Sequence, residues 1–396
     1  MPTQVQNLNN IEKALKEYYL PLWNNLLNTE PSIILSKIKK KPLKSHQIVA
    51  SAPIGQSGGF GFSSEGAPTP APGAVRFERF KEVTKDMYCN INISIKATKL
   101  TGSESSMADA LKTEVEAAYN TAKWNVGRTL FGNGSGILTA TTGVAGNTVT
   151  VANTQNVMEG LTIDIFAGTP SPTSIPTATE RRIIAVDRTA KTLTIDGAAV
   201  TAAAGFITIQ GSYNKEITGF NSIFDNGVTT LYGVSKADNP VIKPMVVNAN
   251  GEIDDILITR ALRDVYEYKN SNIDMILCGN NAYDAYVEYL RTTNQRIESR
   301  YVPVGGFNAI KFVFSNREVY IANERFIPLN EMWCFDTSTF EFHTFEWEFA
   351  TLQGGSIFNL IPRTSVYHAL LANYGNLVCS NPGGCVRIHN LPNPTV

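Results

Sequence analysis

The chain has 396 residues, 43% of them apolar and 17% charged, which excludes global disorder and leaves room for two or three domains with full cores. Its net charge of −1 and pI near 6.5 disfavour a protein that wraps nucleic acid by counterion release, because such domains are basic throughout. No apolar run approaches the ~18 residues of a membrane span, and an N-terminus carrying Glu12, Lys13, Lys16 and Glu17 does not read as a signal peptide, so no membrane association is expected.

Five scattered cysteines (Cys89, Cys278, Cys334, Cys379, Cys385) read as reduced, mostly buried thiols of a cytosolic product. Within residues 1–30, Ile11, Leu15, Tyr18, Tyr19 and Leu22 predict an amphipathic helix limited by Pro21. It is too short to be stable alone, so it must dock on something, another subunit included. The only dense basic run follows, with Lys37, Lys39, Lys40, Lys41 and Lys44. It reads either as a solvated face or as an inward-facing patch meeting phosphate.

Residues 55–73, GQSGGFGFSSEGAPTPAPG, are too poor in apolar residues for a core. They lead into Tyr88–Ile95, where Ile91, Ile93 and Ile95 share one face of a predicted strand. A glycine-rich tip on long strands predicts an extended β-arm, costly to order unless a neighbour covers it. From Ser105 to Gly136 a long helix is expected, with Ser106 as N-cap and Asp109 at the third helical position. Its stripe of Leu111, Val115, Ala118, Ala122, Val126 and Leu130 runs for about six turns, and glycines 132–136 end it.

Residues 137–213 change to Thr, Val, Ala and Gly, with short alternating runs at Thr148–Val151, Leu161–Phe166, Arg182–Val186, Thr192–Ile195 and Phe206–Gln210. That spacing predicts a small all-β barrel or sandwich inserted into a host fold. Residues 247–345 return to mixed α/β. Helices are expected over Gly251–Lys269 and from Asn280, and strands at Met275–Cys278, Ile310–Phe314, Val319–Ala322 and Met332–Phe335. The C-terminal stretch reads as two strands joined by a Gly/Pro turn.

Nothing assembles into a catalytic, cofactor or metal site, and the chain is not expected to be an enzyme. Gly55-Gln56-Ser57-Gly58-Gly59 matches a nucleophile elbow in letters but lacks its strand and helix. The four histidines (His46, His343, His368, His389) show no ligand spacing. Cys379 and Cys385 bracket a turn and read as thiols at strand ends. Asp254, Asp255, Glu346 and Glu348 read as solvated faces.

A docking arm, a β-arm and a strut helix suit a chain built to contact copies of itself. EYYLPLW with SGGFG, the helix ending in KWNVGRTLFGNGSG, MILCGNNAYDAYVEYLRT and GNLVCSNPGG together resemble a major capsid protein of tailed bacteriophages with the HK97-type fold. The resemblance spans nearly the whole chain except 137–213 and rests on order and spacing, since no single motif is diagnostic. It implies an α+β fold: N-arm 1–50, E-loop 51–103, spine helix 104–136 of a peripheral domain, inserted β domain 137–213, peripheral residues 214–246, α/β axial domain 247–345 and peripheral strands 346–396.

It further implies self-assembly as hexamers and pentamers into an icosahedral virion shell around double-stranded DNA, assembled in the bacterial cytoplasm. Portal, scaffolding and decoration proteins are the other partners it implies. No long charged helix precedes the arm, so a separate scaffolding protein, or none, is expected. Assembly contacts are expected at Leu15, Tyr18 and Tyr19 in the arm and Phe60 and Phe62 at the loop tip, and no cofactor is expected. Two other readings stay open: an encapsulin-like compartment, and a β-rich tail or surface-binding protein.

Overall fold

A computed structural model describes residue 27 and residues 31–54, 59–94, 104–171, 174–225, 227–293, 299–301, 308–315, 317–351, 357, 359–361 and 364–394. The expected N-terminal helix, with Leu15, Tyr18 and Tyr19, lies outside these. The chain divides into two compact units, residues 127–222 and residues 1–126 with 223–396.

The N-terminal elements are helix α1 (Ile33–Lys37) and strands β1 (Lys39–Pro42), β2 (Gln47–Ile54), β3 (Arg76–Val83) and β4 (Lys85–Ser94). Helix α2 (Glu104–Leu130) has 27 residues and is therefore about 40 Å long. It starts ahead of the expected Ser106 cap. Neither Ser nor Glu breaks a helix, so the first turn extends back to Glu104. Ala122, Val126 and Leu130 of the apolar stripe are buried while Ala117 and Asn120 on the opposite side are exposed; Trp124, also on that opposite side, is buried and meets the Phe326 ring at 6.1 Å.

Residues 127–222 hold β5 (Ile137–Gly146), β6 (Thr148–Val151), β7 (Thr162–Ala167), β8 (Ala178–Asp187), β9 (Thr192–Ile195), β10 (Val200–Ala202) and β11 (Gly205–Ile209). Their antiparallel order β10-β5-β11-β7-β8-β9-β6 closes on itself because β6 also pairs with β5. Val149, Ile163, Ile165, Leu193, Ile195 and Ile207 fill the interior. The incoming and outgoing segments are clamped together. Phe220 N donates to Leu130 O at 2.7 Å, and the Phe131 and Phe220 rings meet at 5.2 Å.

Beyond helix α3 (Asn221–Phe224) come the hairpin β12 (Thr230–Leu231)–β13 (Val234–Ser235), β14 (Met245–Asn248), α4 (Asp255–Lys269), β15 (Met275–Cys278) and α5 (Asn280–Thr292). Strands β16 (Ser299–Tyr301), β17 (Asn308–Phe314), β18 (Arg317–Asn323), β19 (Met332–Phe335), β20 (Phe340–Thr344), β21 (Glu348–Phe349), β22 (Asn359–Leu360), β23 (Val366–Cys379) and β24 (Val386–His389) complete the chain.

A seven-stranded mixed sheet runs β14-β24-β19-β15-β18-β17-β16. Helices α4 and α5 cover one face, packing Ile258, Leu262, Val265 and Tyr286 against Ile276 and Ile321. On the other face Phe224 stacks on Trp333 at 4.7 Å and meets Phe335 edge-on at 5.2 Å. Asp254 and Asp255 are not a solvated pair. Asp254 caps α4 by accepting from Leu257 N at 2.6 Å, and Asp255 accepts from the Tyr286 hydroxyl at 3.0 Å.

The second, six-stranded sheet is organised around β23, whose 14 residues pair with β4 on one side and with β22, β21 and β20 on the other. β1 adds to β20 in parallel at the sheet's end, and its Lys and Pro residues blunt that edge. The two C-terminal strands therefore do not pair with each other. β23 and β24 belong to different sheets, and β20 sits with β23, so a division at 345/346 does not follow the sheet boundary. Hydrogen-bonded partners far apart in sequence decide this, and local periodicity carries no trace of them.

Candidate assembly surface

β2 and β3 pair for eight residues, Gln47 opposite Val83 through Ile54 opposite Arg76, and with no other strand among the described residues. A lone two-stranded ribbon is marginal in water, so it must be held at its base or covered by a partner. Strand alternation gives it two unlike faces.

The face carrying Ile48 and Phe80 turns to the body and is buried there. Phe80 packs on Tyr232 at 5.5 Å, and Lys81 N donates to Tyr232 O at 2.9 Å. Asn376 Nδ2 donates to Val83 O at 2.8 Å and to Glu82 Oε1 at 3.2 Å. Thr84 and His46 close the base, Oγ1 to Nδ1 at 2.9 Å. Tyr232 sits in the two-residue turn between β12 and β13 at φ 51°, a left-handed conformation uncommon for an aromatic residue. Its fully buried ring against the ribbon base holds it there.

The opposite face carries Phe77, Arg79, Lys81 and Val83, with Val49 across from Lys81. Phe77 is 64% exposed, Val49 48% and Val83 44%. At the tip, Phe60 and Phe62 are 83% and 94% exposed and meet edge to face at 5.4 Å. The tip loop is shaped locally. Ser63 Oγ donates to Pro68 O at 3.1 Å, and Pro70 Cγ lies 2.9 Å from where a Gly61 side chain would begin. Of the expected contact residues, Phe60 and Phe62 stand together on open surface, whereas Leu15, Tyr18 and Tyr19 lie outside the described residues.

Lys37 Nζ lies 4.6 Å over the Tyr320 ring and Lys41 pairs with Glu341 at 2.8 Å. Lys39, Lys40 and Lys44 are exposed, and partial burial of its ammonium lowers the Lys40 pKa. Of the nucleophile-elbow letters, residues 55–58 lie outside the described residues and Gly59 is in an exposed turn. Among the described residues no group of His, Cys, Asp or Glu is placed to hold a metal, and no helix is long and apolar enough to cross a membrane. Cys379 and Cys385 are buried free thiols flanking the turn between β23 and β24, and contact with Cys379 together with burial raises the Cys385 pKa well above its usual value.

No family model and no curated protein sequence matches the chain. Solved structures do. The capsid asymmetric unit of cyanophage A-1(L) superposes with a TM-score of 0.51 at 12% identity, covering 94% of this chain and 93% of that one. The fold is that of an HK97-type capsid protein. The SrpI encapsulin of Synechococcus elongatus PCC 7942 matches with a TM-score of 0.46 at 9% identity, over 91% of this chain and 86% of that one. A chain of the satellite phage P4 procapsid gives 0.46 at 9% identity, over 94% and 98%.

Proposed function

We propose that the chain is the repeating subunit of a closed protein shell, the head of a tailed phage enclosing double-stranded DNA. The observation that carries this is the β2–β3 ribbon. Its outer face exposes Phe77, Val49 and Val83 between cations, its tip exposes Phe60 and Phe62, and among the described residues it joins no further strand. Held at its base, such a ribbon still has exposed apolar side chains along its outer face and tip that another copy would bury, and the HK97-type fold supplies the setting.

The ribbon then acts as the E-loop and α2 as the spine helix. The sheet around β23 forms the peripheral domain, the sheet carrying α4 and α5 forms the axial domain, and the closed barrel is an insertion. Each subunit offers unlike surfaces to its neighbours, so contacts are heterologous and close by rotation into rings and then a shell. Individual contacts of ordinary size, on the order of 800 Å² per partner, suffice because many form at once. A chain with net charge −1 does not grip its contents by counterion release, which suits a container that must be filled and emptied.

The test is to produce the full chain in bacteria, isolate particles by sedimentation and measure nuclease-protected nucleic acid in them. DNA-filled or empty particles uniform in size support the phage head. Particles carrying a co-purifying enzyme and no nucleic acid would replace it with a compartment.

A further inference from the structure

The turn between β23 and β24 joins the two sheets. β23 ends at Cys379 in the six-stranded sheet, opposite Phe340, and β24 starts one residue after Cys385 in the seven-stranded sheet. Between the cysteines, Pro382–Gly384 wind into a single 3-10 turn. That turn is tightly held. Gly384 N donates to Asn381 O at 3.1 Å, Cys385 N to Pro382 O at 3.3 Å and Met245 N to Cys385 O at 3.0 Å. A side chain at Gly384 would begin 2.5 Å from Ser271 Oγ, so glycine alone fits there.

Among the cysteines this arrangement singles out one pair. The Cys379 and Cys385 thiols are in hydrogen-bond contact, and both residues are completely buried. Cys334 lies on the wrong face to compete. It stands opposite Val386 and shares with it and Cys278 the core beneath α4 and α5. Cys385, one residue before Val386 in extended backbone, points to the other face.

We propose that Cys379 and Cys385 are a site of oxidative modification, a dithiol that a peroxide converts to an intrachain disulfide tying the end of β23 to the start of β24. Peroxide oxidises one thiol to a sulfenic acid and leaves as water. The other thiol attacks that sulfur, and a second water leaves as the S–S bond forms. The two sulfurs are oxidised, the peroxide oxygens are reduced, and both thiol protons end in the waters. Buried thiols ionise poorly and react slowly, so the pair stays reduced beside cellular reductants and closes on long exposure to an aerobic medium.

The strand end pinned in this way is the one that anchors the ribbon. Asn376 donates to Val83 O, and the hydroxyl of Tyr232, whose ring packs on Phe80, lies beside the Cys379 backbone. The site goes beyond the shell reading and does not depend on it. A fold that holds two sulfurs in contact favours their bond over the same bond in a flexible chain, and the bond favours the fold by the same factor.

Trypsin releases both cysteines on one peptide, residues 364–387, which makes the test direct. The folded full chain and a synthetic peptide of those residues are equilibrated in graded glutathione buffers, quenched with acid and alkylated in denaturant. The peptide from the folded chain is expected to escape alkylation and to be lighter than the dithiol by two hydrogens. Its equilibrium constant for closure should exceed that of the synthetic peptide at least about tenfold. Cys278 and Cys334 should remain alkylated. Hydrogen peroxide should give the same product and raise the urea midpoint, a gain that dithiothreitol removes and C385A never shows.

Closure no more favourable than in the synthetic peptide would overturn the assignment. So would full alkylation of both cysteines after prolonged peroxide, or a bond from Cys385 to Cys334. If C385A fails to fold, the glutathione comparison still decides, because it uses only the wild-type sequence.

Discussion

The Arg128 guanidinium grips the Glu216 carboxylate with both ends, Nη2 to Oε1 at 2.5 Å and Nη1 to Oε2 at 3.1 Å, with side-chain exposures of only 5% and 7%. Arg128 lies on the segment entering the barrel unit and Glu216 on the segment leaving it. Removing one partner leaves a buried charge uncompensated. R128A or E216A should therefore destabilise the unit by about 3–5 kcal/mol, whereas R128M/E216L should be close to neutral. Urea denaturation followed by circular dichroism distinguishes the two outcomes.

Gly219 lies beside that clamp. A Cβ there would stand 2.3 Å from Leu130 O and 2.5 Å from Thr129 O, both backbone atoms with little freedom to retreat. G219A should cost about 1–3 kcal/mol by overpacking, read as a lower urea midpoint. An unchanged midpoint would show that the segments are not held as described.

Glu324 accepts from Ser32 Oγ at 2.5 Å in a nearly dry site that also receives α1, and burial raises its pKa to about 7 from 4.5. Between these values the folded chain holds a proton that the unfolded chain has lost. Stability is therefore greatest below pH 4.5 as far as this group is concerned, and falls as pH rises to 7 by roughly 3 kcal/mol. E324Q should flatten that part of the stability–pH curve and be more stable than wild type at pH 8. Matching curves for the two proteins would refute the assignment.

Phe60 and Phe62 touch each other and solvent, so the folded chain has little to lose at these positions. F60S/F62S should shift unfolding by no more than about 0.5 kcal/mol, the usual range for surface changes. The same variant should fail to close shells, as seen by sedimentation velocity. Intact particles would remove the tip from the contact.

Much of the local structure was readable from residue patterns. Thr148–Val151, Thr192–Ile195 and Met332–Phe335 are strands with those bounds because alternation or a short apolar run marks them between turn residues. The helix expected from Gly251 begins at Asp255 because Asp254 caps it.

Long-range choices were not legible. β1 pairs with β20 some three hundred residues away, and Arg128 finds Glu216 across 88 residues. The ribbon's outer face did leave a trace. In Arg76–Val83, Phe77 and Phe80 have opposite parity, so both faces of the strand carry an aromatic residue and neither is wholly a solvent face.

The most direct measurement is negative-stain electron microscopy of the purified full chain over a range of concentrations. The account predicts closed shells of uniform diameter that appear above a threshold concentration. A monodisperse, folded monomer at every concentration, with the ribbon accessible to protease throughout, would contradict it.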